Sequence, residues 1–590
     1  MSPLASLARA YERMGRDAAA FGYSVEKIGF LISLNCDGSP AGPPIDLREG
    51  EDDKKAPRLM QVPASRKRPG VTPKSFFLWD NTAFALGVSR DSKKIGSARF
   101  EAFRDRHRRE LADADDIGLM ALLNFVNGWT PEAFRRLAWP NEMKDANVVF
   151  SLESDRRRGV CIHDRPAARE LWRRLNASAE KSEAICLVNG ERAPIERVHP
   201  AIKGVWGAES SGASIVSFNQ DSFTSYGHAQ GDNAPVSEAA AFAYTTALNR
   251  LLERDSGRRI QIGDASTVFW ADASSAQAAS HAEAIFAALM GVGEGAETKT
   301  IAGALEAIRR GEPLAHARPD LASGVRFFVL GLSPNNARLS IRFYIEEDFA
   351  VLVARILEHA EQMRVAPPPK GERPGIWRLL IETAALRKPE NIPPQLAGEC
   401  LRAILSGSRC PMTLFSAILI RIRADHDVNA LRVGILKAVL IRNFGLDKEV
   451  PVALDPENAD AGYLLGRLFA THEYAQTQAL GRNVNATIRD QYYGAASAAP
   501  RSVFPLLQRK TTHHLSTLRK DRPGLAVNID RKIGEICDLA EPGDLFPSML
   551  SARRQALFAL GYYHQRNDFH RGREEANDNG ADPPYAKGLA

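Results

Sequence analysis

Cysteine is scarce in these 590 residues: Cys36, Cys161, Cys186, Cys400, Cys410 and Cys537 are scattered and form no CxxC pair. That spacing argues against a zinc ribbon and against a disulfide framework. Long apolar runs are missing too. No stretch of about 18 or more uncharged apolar residues occurs, so no membrane-spanning helix is expected. The opening MSPLASLARAYERMGRDAAAFGYS carries a charge every few positions and has no signal-peptide apolar core, so the protein reads as cytoplasmic. Neither sign of charge dominates. Against 71 Asp and Glu stand 77 Lys and Arg, a net charge of +6. This permits nucleic-acid contact without demanding it, and local clusters must carry that argument.

Reaction signatures are absent as well. GVGEGAET (291–298) is glycine-rich but lacks the Lys-Ser/Thr of a P-loop and the spacing of a dinucleotide fingerprint, and it reads as a flexible loop. No GxSxG or HExxH occurs. Two His-Asp pairs, His163-Asp164 in CIHDRP and His426-Asp427 in RADHDVN, hold residue types that metal-dependent phosphohydrolases use. Such a site also needs ligands from other helices. The second pair lies beside a helical pattern and supports an alternative reading, a metal-dependent nuclease around His426. Asp425 and Asp427 read instead as a polar cap before LRVGILKAVL. His513 and His514 are adjacent, point to different helix faces and chelate poorly, so they read as surface residues. No metal site and no cofactor is expected.

What is present is length and pattern. The chain exceeds one ordinary core, so two or three domains are expected. Its 44% hydrophobic and 25% charged content is that of a globular protein. IGFLISLNCDGSP (28–40) predicts a strand ending in an Asp-Gly turn, and KSFFLWDN (74–81), SIVSFN (214–219) and STVFWAD (266–272) predict further strands. VRFFVLGLSPNNARLSIRFYIEE (325–347) predicts a hairpin turning at SPNNA. Helices are expected over 3–21, 97–112 and 237–253. VAPPPKGERPGI (365–376) reads as a linker. Beyond it PPQLAGECLRAIL, MTLFSAILIRIRA, LRVGILKAVLIRN, GYLLGRLFATHEYAQTQAL and SARRQALFALGYYHQR all show helical spacing, with Leu464, Leu468, His472 and Ala475 on one stripe. The class is α+β: an irregular mixed domain over 1–364, a linker over 365–374, and a helical bundle over 375–590 with a disordered tail from about 572.

Basic clusters stand out. SRKRPGVTPKSFFLWDN (65–81) gathers Arg66, Lys67, Arg68 and Lys74 around Pro69, Gly70 and Pro73. A restricted loop presents charge at lower entropic cost, and phosphates attract such side chains. The alternative is a solvated loop. RFEAFRDRHRRE (99–110) places Arg99, Arg106 and Arg109 with Phe103 on one helix face, and Arg156, Arg157 and Arg158 form a third run. Isolated runs of this kind usually face water.

The same N-terminal segments carry a resemblance. MSPLASLARAYERM, GYSVEKIGFLISLNCDGSP, PIDLRE, KKAPRLMQVP and SRKRPGVTPKSFFLWDNTAFALG together resemble the large subunit of the type I-C CRISPR surveillance complex, Cascade. So does SFNQDSFTSYGHAQGDNAPVSEAAAFAYTTALNRLL (217–252), with FFVLGLSPNNARLSIRFY, RVGILKAVLIRN and YLLGRLFATHEYAQ further on. The likeness spans roughly residues 1–565. Trp79 and His472 depart from it, standing where cysteine and leucine are common.

The resemblance implies a non-enzymatic subunit. A guide RNA pairs with the target, while the protein reads a short flanking DNA motif, the PAM, helps open the duplex and holds the displaced strand. A related division of labour holds in an unrelated effector. Implied partners are the CRISPR RNA, target double-stranded DNA, the backbone, guide-processing and small subunits, and a helicase-nuclease; no membrane is implied. Arg66, Lys67, Arg68, Thr72, Lys74 and Asn81 become candidates for PAM-side DNA. Asn219, Gln220, Tyr226, His228 and Gln230 are candidates for strand or partner contact, or for internal packing. In this loop Gly227 and Gly231 allow tight turning, Ser237 caps the next helix, and Tyr244, Leu248 and Leu251 form its buried stripe. The resemblance further implies a second product, a small subunit translated from about Val452 or from Met412; the alternative is that this segment is only the large subunit's own C-terminal domain. Its helices offer Arg467, Arg482, Arg489, Arg509, Lys510, Arg519 and Lys520 to a nucleic-acid backbone.

Overall fold

The computed structural model describes residues 2–15, 21–50, 55–64, 73–91, 97–177, 182–218, 220–262, 265–291, 301–369, 375–481, 486–541 and 545–578. Two compact units appear. The first is Met1–Ile202 with Ser214–Arg250, and the second is Lys203–Ala213 with Leu251–Ala590. Strands concentrate in the first 350 residues and helices dominate afterwards, so the α+β expectation holds.

The first unit is built on two apolar strands. In order along the chain its strands are β1 (Tyr23–Ile28), β2 (Phe30–Leu34), β3 (Ile45–Asp46), β4 (Arg58–Pro63), β5 (Trp79–Asn81), β6 (Asn147–Leu152), β7 (Glu183–Ile185) and β8 (Arg192–Pro194). The central sheet runs β3-β2-β6-β5, with β2 and β6 parallel. Every β2 residue is buried, the pattern of a strand covered on both faces. Phe30, Ile32, Leu34, Val148 and Phe150 pack with Phe103, Leu122 and Phe125 from helices Ser97–Glu110 and Ile117–Gly128. Leu31 and Val149 point the other way, against Ile28, Val62, Trp79 and Cys161 beneath the antiparallel β1–β4 ribbon. After β2 the chain turns at Gly38 (φ +89), where a Cβ would lie 2.6 Å from the Phe125 backbone nitrogen. Only glycine fits.

Two expected strands differ. In KSFFLWDN only Trp79–Asn81 is strand. Leu78 takes φ +63 and gives its N–H to His107 Nε2 at 2.9 Å, not to a ladder. SIVSFN is not a strand: Ile215 and Val216 lie in bends, and Asn219 is outside the described residues. Helix Pro3–Met14 ends before the expected 21, and 16–20 fall outside the described residues.

The second unit opens with an antiparallel sheet, order β12-β11-β10-β9, made of β9 (Arg259–Ile262), β10 (Ala265–Asp272), β11 (Arg326–Asn335) and β12 (Arg338–Asp348). The hairpin is as expected; Asn335 pairs with Arg338 and Asn336 takes φ +54 in the turn. A register shift falls at Gly331, where a Cβ would sit 2.4 Å from the Phe343 ring. Helices Pro394–Ser406, Met412–Asp425, Ala430–Phe444, Ala461–Leu480 and Ala552–Asp578 follow where the spacing predicts them, and Ile488–Ala498, Pro500–Asp521 and Pro523–Asp538 add to them. Helix Ala552–Asp578 runs past the expected tail start at 572.

One core spans this unit from Phe269 and Phe327 to Phe469 and Phe558, so packing does not break at the expected linker. Val365 is buried, and Ala366 N–H donates to the Val452 carbonyl at 2.7 Å. Residues 370–374 lie outside the described residues. Ala461–Leu480 and Ala552–Asp578 cross at backbone contact, because a Cβ on Gly466 would lie 2.1 Å from the Phe558 carbonyl oxygen and one on Gly561 2.1 Å from that of Tyr463.

Candidate nucleic-acid interface

Arg66, Lys67, Arg68 and Thr72 lie outside the described residues. The described residues on either side of this segment are tied together as a stem. On the entry side, Ala64 N–H donates to the Gly22 carbonyl at 2.8 Å. On the exit side, Ser75 hydroxyl donates to the Ala102 carbonyl at 3.1 Å and Phe76 N–H to Asp80 at 2.8 Å. Trp79 joins the two sides, its indole N–H reaching the Pro63 carbonyl at 2.8 Å. Lys74 is exposed beside this stem. Asn81 caps the short helix Thr82–Ala85, its carboxamide oxygen accepting the Ala83 N–H at 3.0 Å. His107 fastens the exit side from within. Burial lowers its pKa to about 3, so the ring is neutral; Nδ1–H donates to the Phe103 carbonyl and Nε2 accepts from Leu78.

The other N-terminal clusters are largely paired. Phe103 is buried, which turns the Arg99–Arg106 face inward. Arg106 bonds Glu110 at 2.9 Å and lies over Phe77 and Trp172. Arg109 stays exposed. Arg156 pairs with Glu153 at 2.7 Å, and Arg158 with Asp155.

The polar loop before helix Glu238–Leu252 is held at its ends and open at its tip. Ser225 and His228 exchange backbone hydrogen bonds across a two-residue turn, with Tyr226 at φ +50 and Gly227 at φ +79. Tyr226 is 99% exposed, and Gln220 and His228 are exposed too. Gln230 accepts from Arg197 Nε at 3.0 Å. Gly231 serves close approach instead of turning: a Cβ there would be 2.3 Å from the Glu196 carbonyl oxygen. Ser237 caps the helix as expected, accepting Ala240 N–H at 3.2 Å, and Tyr244, Leu248 and Leu251 are buried. Tyr244 hydroxyl and His199 Nδ1 lie 2.6 Å apart, with burial lowering the His199 pKa to about 4.

In the second unit the C-terminal cations divide. Arg467 is only 3% exposed; its guanidinium donates to Gln565 at 3.2 Å and to the Pro456 carbonyl at 2.9 Å, so it is an internal strut. Arg482 lies outside the described residues. Arg489 is half-buried near Asp490. Lys510 bonds the Tyr492 hydroxyl at 2.9 Å, and Arg519 pairs with Asp530 at 3.2 Å. Arg509, His513 and Lys520 are exposed on helix Pro500–Asp521, with Ser516 and Thr517 between them. Their four- and three-residue spacing puts them on one face, opposite buried Phe504, Leu507, Thr511, Leu515 and Leu518. No acid precedes Asp521 in this helix. His513 belongs to this face, which the sequence reading gave only as surface; the spacing from Arg509 to Lys520 was the available signal.

The His426-Asp427 pair has another role. His426 ends helix Met412–Asp425 in a left-handed conformation (φ +49). Buried Arg432 bonds Glu382 at 2.9 Å and Asp425 at 2.6 Å, and Arg387 bonds Asp427. Burial alone would raise the Asp427 pKa, but Asn429 and the Arg387 guanidinium hold it below the usual value. Positive charge at these carboxylates is thus supplied by arginine. The cap of the next helix is Asn429, which accepts Arg432 N–H at 3.0 Å.

Fold and surface together define a large, helix-rich protein with exposed cationic faces; among the described residues no helix is long and apolar enough to cross a membrane. The family described as CRISPR-associated protein (Cas_Csd1) matches residues 7–570, and the chain belongs to that family, the large subunits of Cascade-like complexes. No curated protein matches the chain.

Proposed function

We propose that this chain is the non-catalytic large subunit of a type I-C complex in antiviral defence. It reads the PAM in target double-stranded DNA, helps open the duplex, stabilises the R-loop and offers a docking surface to the helicase-nuclease. The observation that carries the reading is the family match over residues 7–570, and exposed Arg509 and Lys520, on a helix with no acid before Asp521, support the strand-holding part. A sequence-independent strand holder needs such charge and no base readout. The stem closed by Trp79 supports the PAM-reading part, since it presents a segment containing Arg66, Lys67, Arg68 and Thr72 next to exposed Lys74. The exposed tip at Tyr226 and His228 fits contact with a strand or a neighbouring subunit. The arginines on Asp425, Asp427 and Glu382 favour a structural over a hydrolytic use of that corner.

The test is binding of the assembled complex to a PAM-containing duplex over a salt series. Replacing Lys67, Arg68 and Lys74 with alanine weakens binding and flattens the salt dependence by about one unit of slope per lost phosphate contact. Unchanged affinity and slope would refute the PAM-side assignment.

A further inference from the structure

The turn after β6 carries a donor set that the proposed function does not use. Cys161 Sγ, a His163 ring nitrogen and an Asp164 carboxylate oxygen all lie within 4.8 Å of one another. Cys161 and His163 are buried, and Asp164 is partly open to solvent. Helix geometry gathers them: Cys161 flanks a single 3-10 turn, Ile162–Asp164, and Asp164 Oδ2 accepts the Cys161 N–H at 3.1 Å. Asp164 Oδ2 also lies 3.8 Å from His163 Nε2. The backbone is held independently, because the Tyr23 hydroxyl donates to the His163 carbonyl at 2.9 Å.

His163 is the unusual member. Both ring nitrogens are shielded from solvent, and the polar group that reaches the ring is backbone and not another side chain. The backbone of Gln61 is close enough to act on the ring. A ligating imidazole commonly directs its second nitrogen to such a backbone group. Arg169 lies 3.5 Å from Asp164 Oδ1, and burial together with the Asp164 charge pushes the Cys161 thiol up to about 12, against a smaller opposing effect of Arg58, so the thiolate needs a bound cation beside it. The Arg169 contact leaves Oδ2 facing His163.

We propose that Cys161, His163 and Asp164 bind one divalent transition-metal ion of the zinc class. One thiolate, one imidazole and one carboxylate form a borderline-soft set that suits zinc over magnesium or calcium. Tetrahedral zinc with these ligands places them about 3.3–3.6 Å apart, so small side-chain rotations close the set. The ion would fasten the turn after β6 beneath the β1–β4 ribbon, a structural role, since two of the three donors are out of reach of a phosphodiester.

The experiment uses the purified full-length chain. Metal analysis follows equilibration with Zn2+ and desalting. Co2+ is then added to the metal-free chain and absorption is recorded. The expected result is about one zinc per chain, a thiolate-to-cobalt charge-transfer band, and a rise in unfolding temperature on adding Zn2+. Cys161→Ser removes the charge-transfer band, and His163→Ala lowers occupancy. A wild-type chain that retains no zinc and shows no charge-transfer band overturns the proposal, whatever the variants do. So does a Cys161→Ser chain with the wild-type cobalt spectrum, which would place the metal elsewhere.

Discussion

Replacing Gly466 with alanine tests one of the two tightest glycine contacts among the described residues. The new methyl carbon would sit 2.1 Å from the Phe558 carbonyl oxygen and 2.7 Å from the Tyr562 backbone nitrogen. Ordinary C···O contact begins near about 3.3 Å, so Ala461–Leu480 and Ala552–Asp578 must part by about 1 Å. That separation reaches the polar pairs across the seam. Tyr562 hydroxyl donates to Glu473 at 2.5 Å, Tyr463 hydroxyl lies 3.0 Å from His564 Nδ1, and Arg467 donates to Gln565 at 3.2 Å. Overpacking costs about 1–3 kcal/mol, and each stretched buried hydrogen bond costs about 1 kcal/mol. The better helix propensity of alanine returns about 1 kcal/mol. With two or three of these bonds stretched, the net loss is about 2–5 kcal/mol. Hydrogen exchange reads it locally: protection in these two helices should fall about 30-fold or more. Gly494→Ala is the control, since nothing lies within 4 Å of its Cβ position; it should stabilise the chain by up to about 1 kcal/mol. Wild-type protection in Gly466→Ala, or equal effects at 466 and 494, would refute the account of this crossing.

The buried neutral histidines predict acid sensitivity. His107 and His359 have pKa values lowered to about 3 and His472 to about 4, chiefly by burial, so the unfolded chain takes up protons first as pH falls. Stability is whole above about pH 6.5 and is lost below it towards pH 3–4, and His107→Gln should shallow that slope in urea unfolding measured between pH 7 and 4. Arg432→Met leaves Glu382 and Asp425 without their buried partner and should cost about 3 kcal/mol or more in urea unfolding. By contrast His426→Ala should leave DNA cleavage by the complete system intact; metal-dependent cleavage by the isolated chain that this change abolishes would restore the nuclease reading. A complex made from the native gene, weighed intact, should contain a C-terminal fragment starting near Val452; full-length chain alone would contradict the two-product idea.

Much of the fold was legible because it is local. The 3.6-residue spacing of the helices after 390 and the Asn-rich hairpin turn at 335–338 are set by neighbours in sequence. What was missed depends on distant partners. Gly462, Gly466 and Gly561 read as ordinary helix residues until the two helices meet across a separation of about a hundred positions. Arg467 read as a surface cation because arginine usually is one, yet carbonyls at 455–456 and Gln565 draw it inside. SIVSFN has strand composition, yet among its described residues only Ser214 forms a bridge, and Ile215 and Val216 lie in bends. The linker at 365–374 was read from its prolines, whereas one core runs past it because the hairpin sheet is covered by helices from beyond it; Phe343 packs beside Gly398. For the surface, the Arg509–Lys520 face was visible as charge, and the pairing of Lys510 and Arg519 was not.

Photo-crosslinking of the assembled complex to a PAM-containing target duplex, followed by peptide mapping, tests the central claim most directly. The account predicts DNA crosslinks to peptides containing 65–81 near the PAM and to peptides containing Arg509, His513 and Lys520 along a strand. Crosslinks from this chain to protein subunits alone, in a complex that still binds the target, would contradict it.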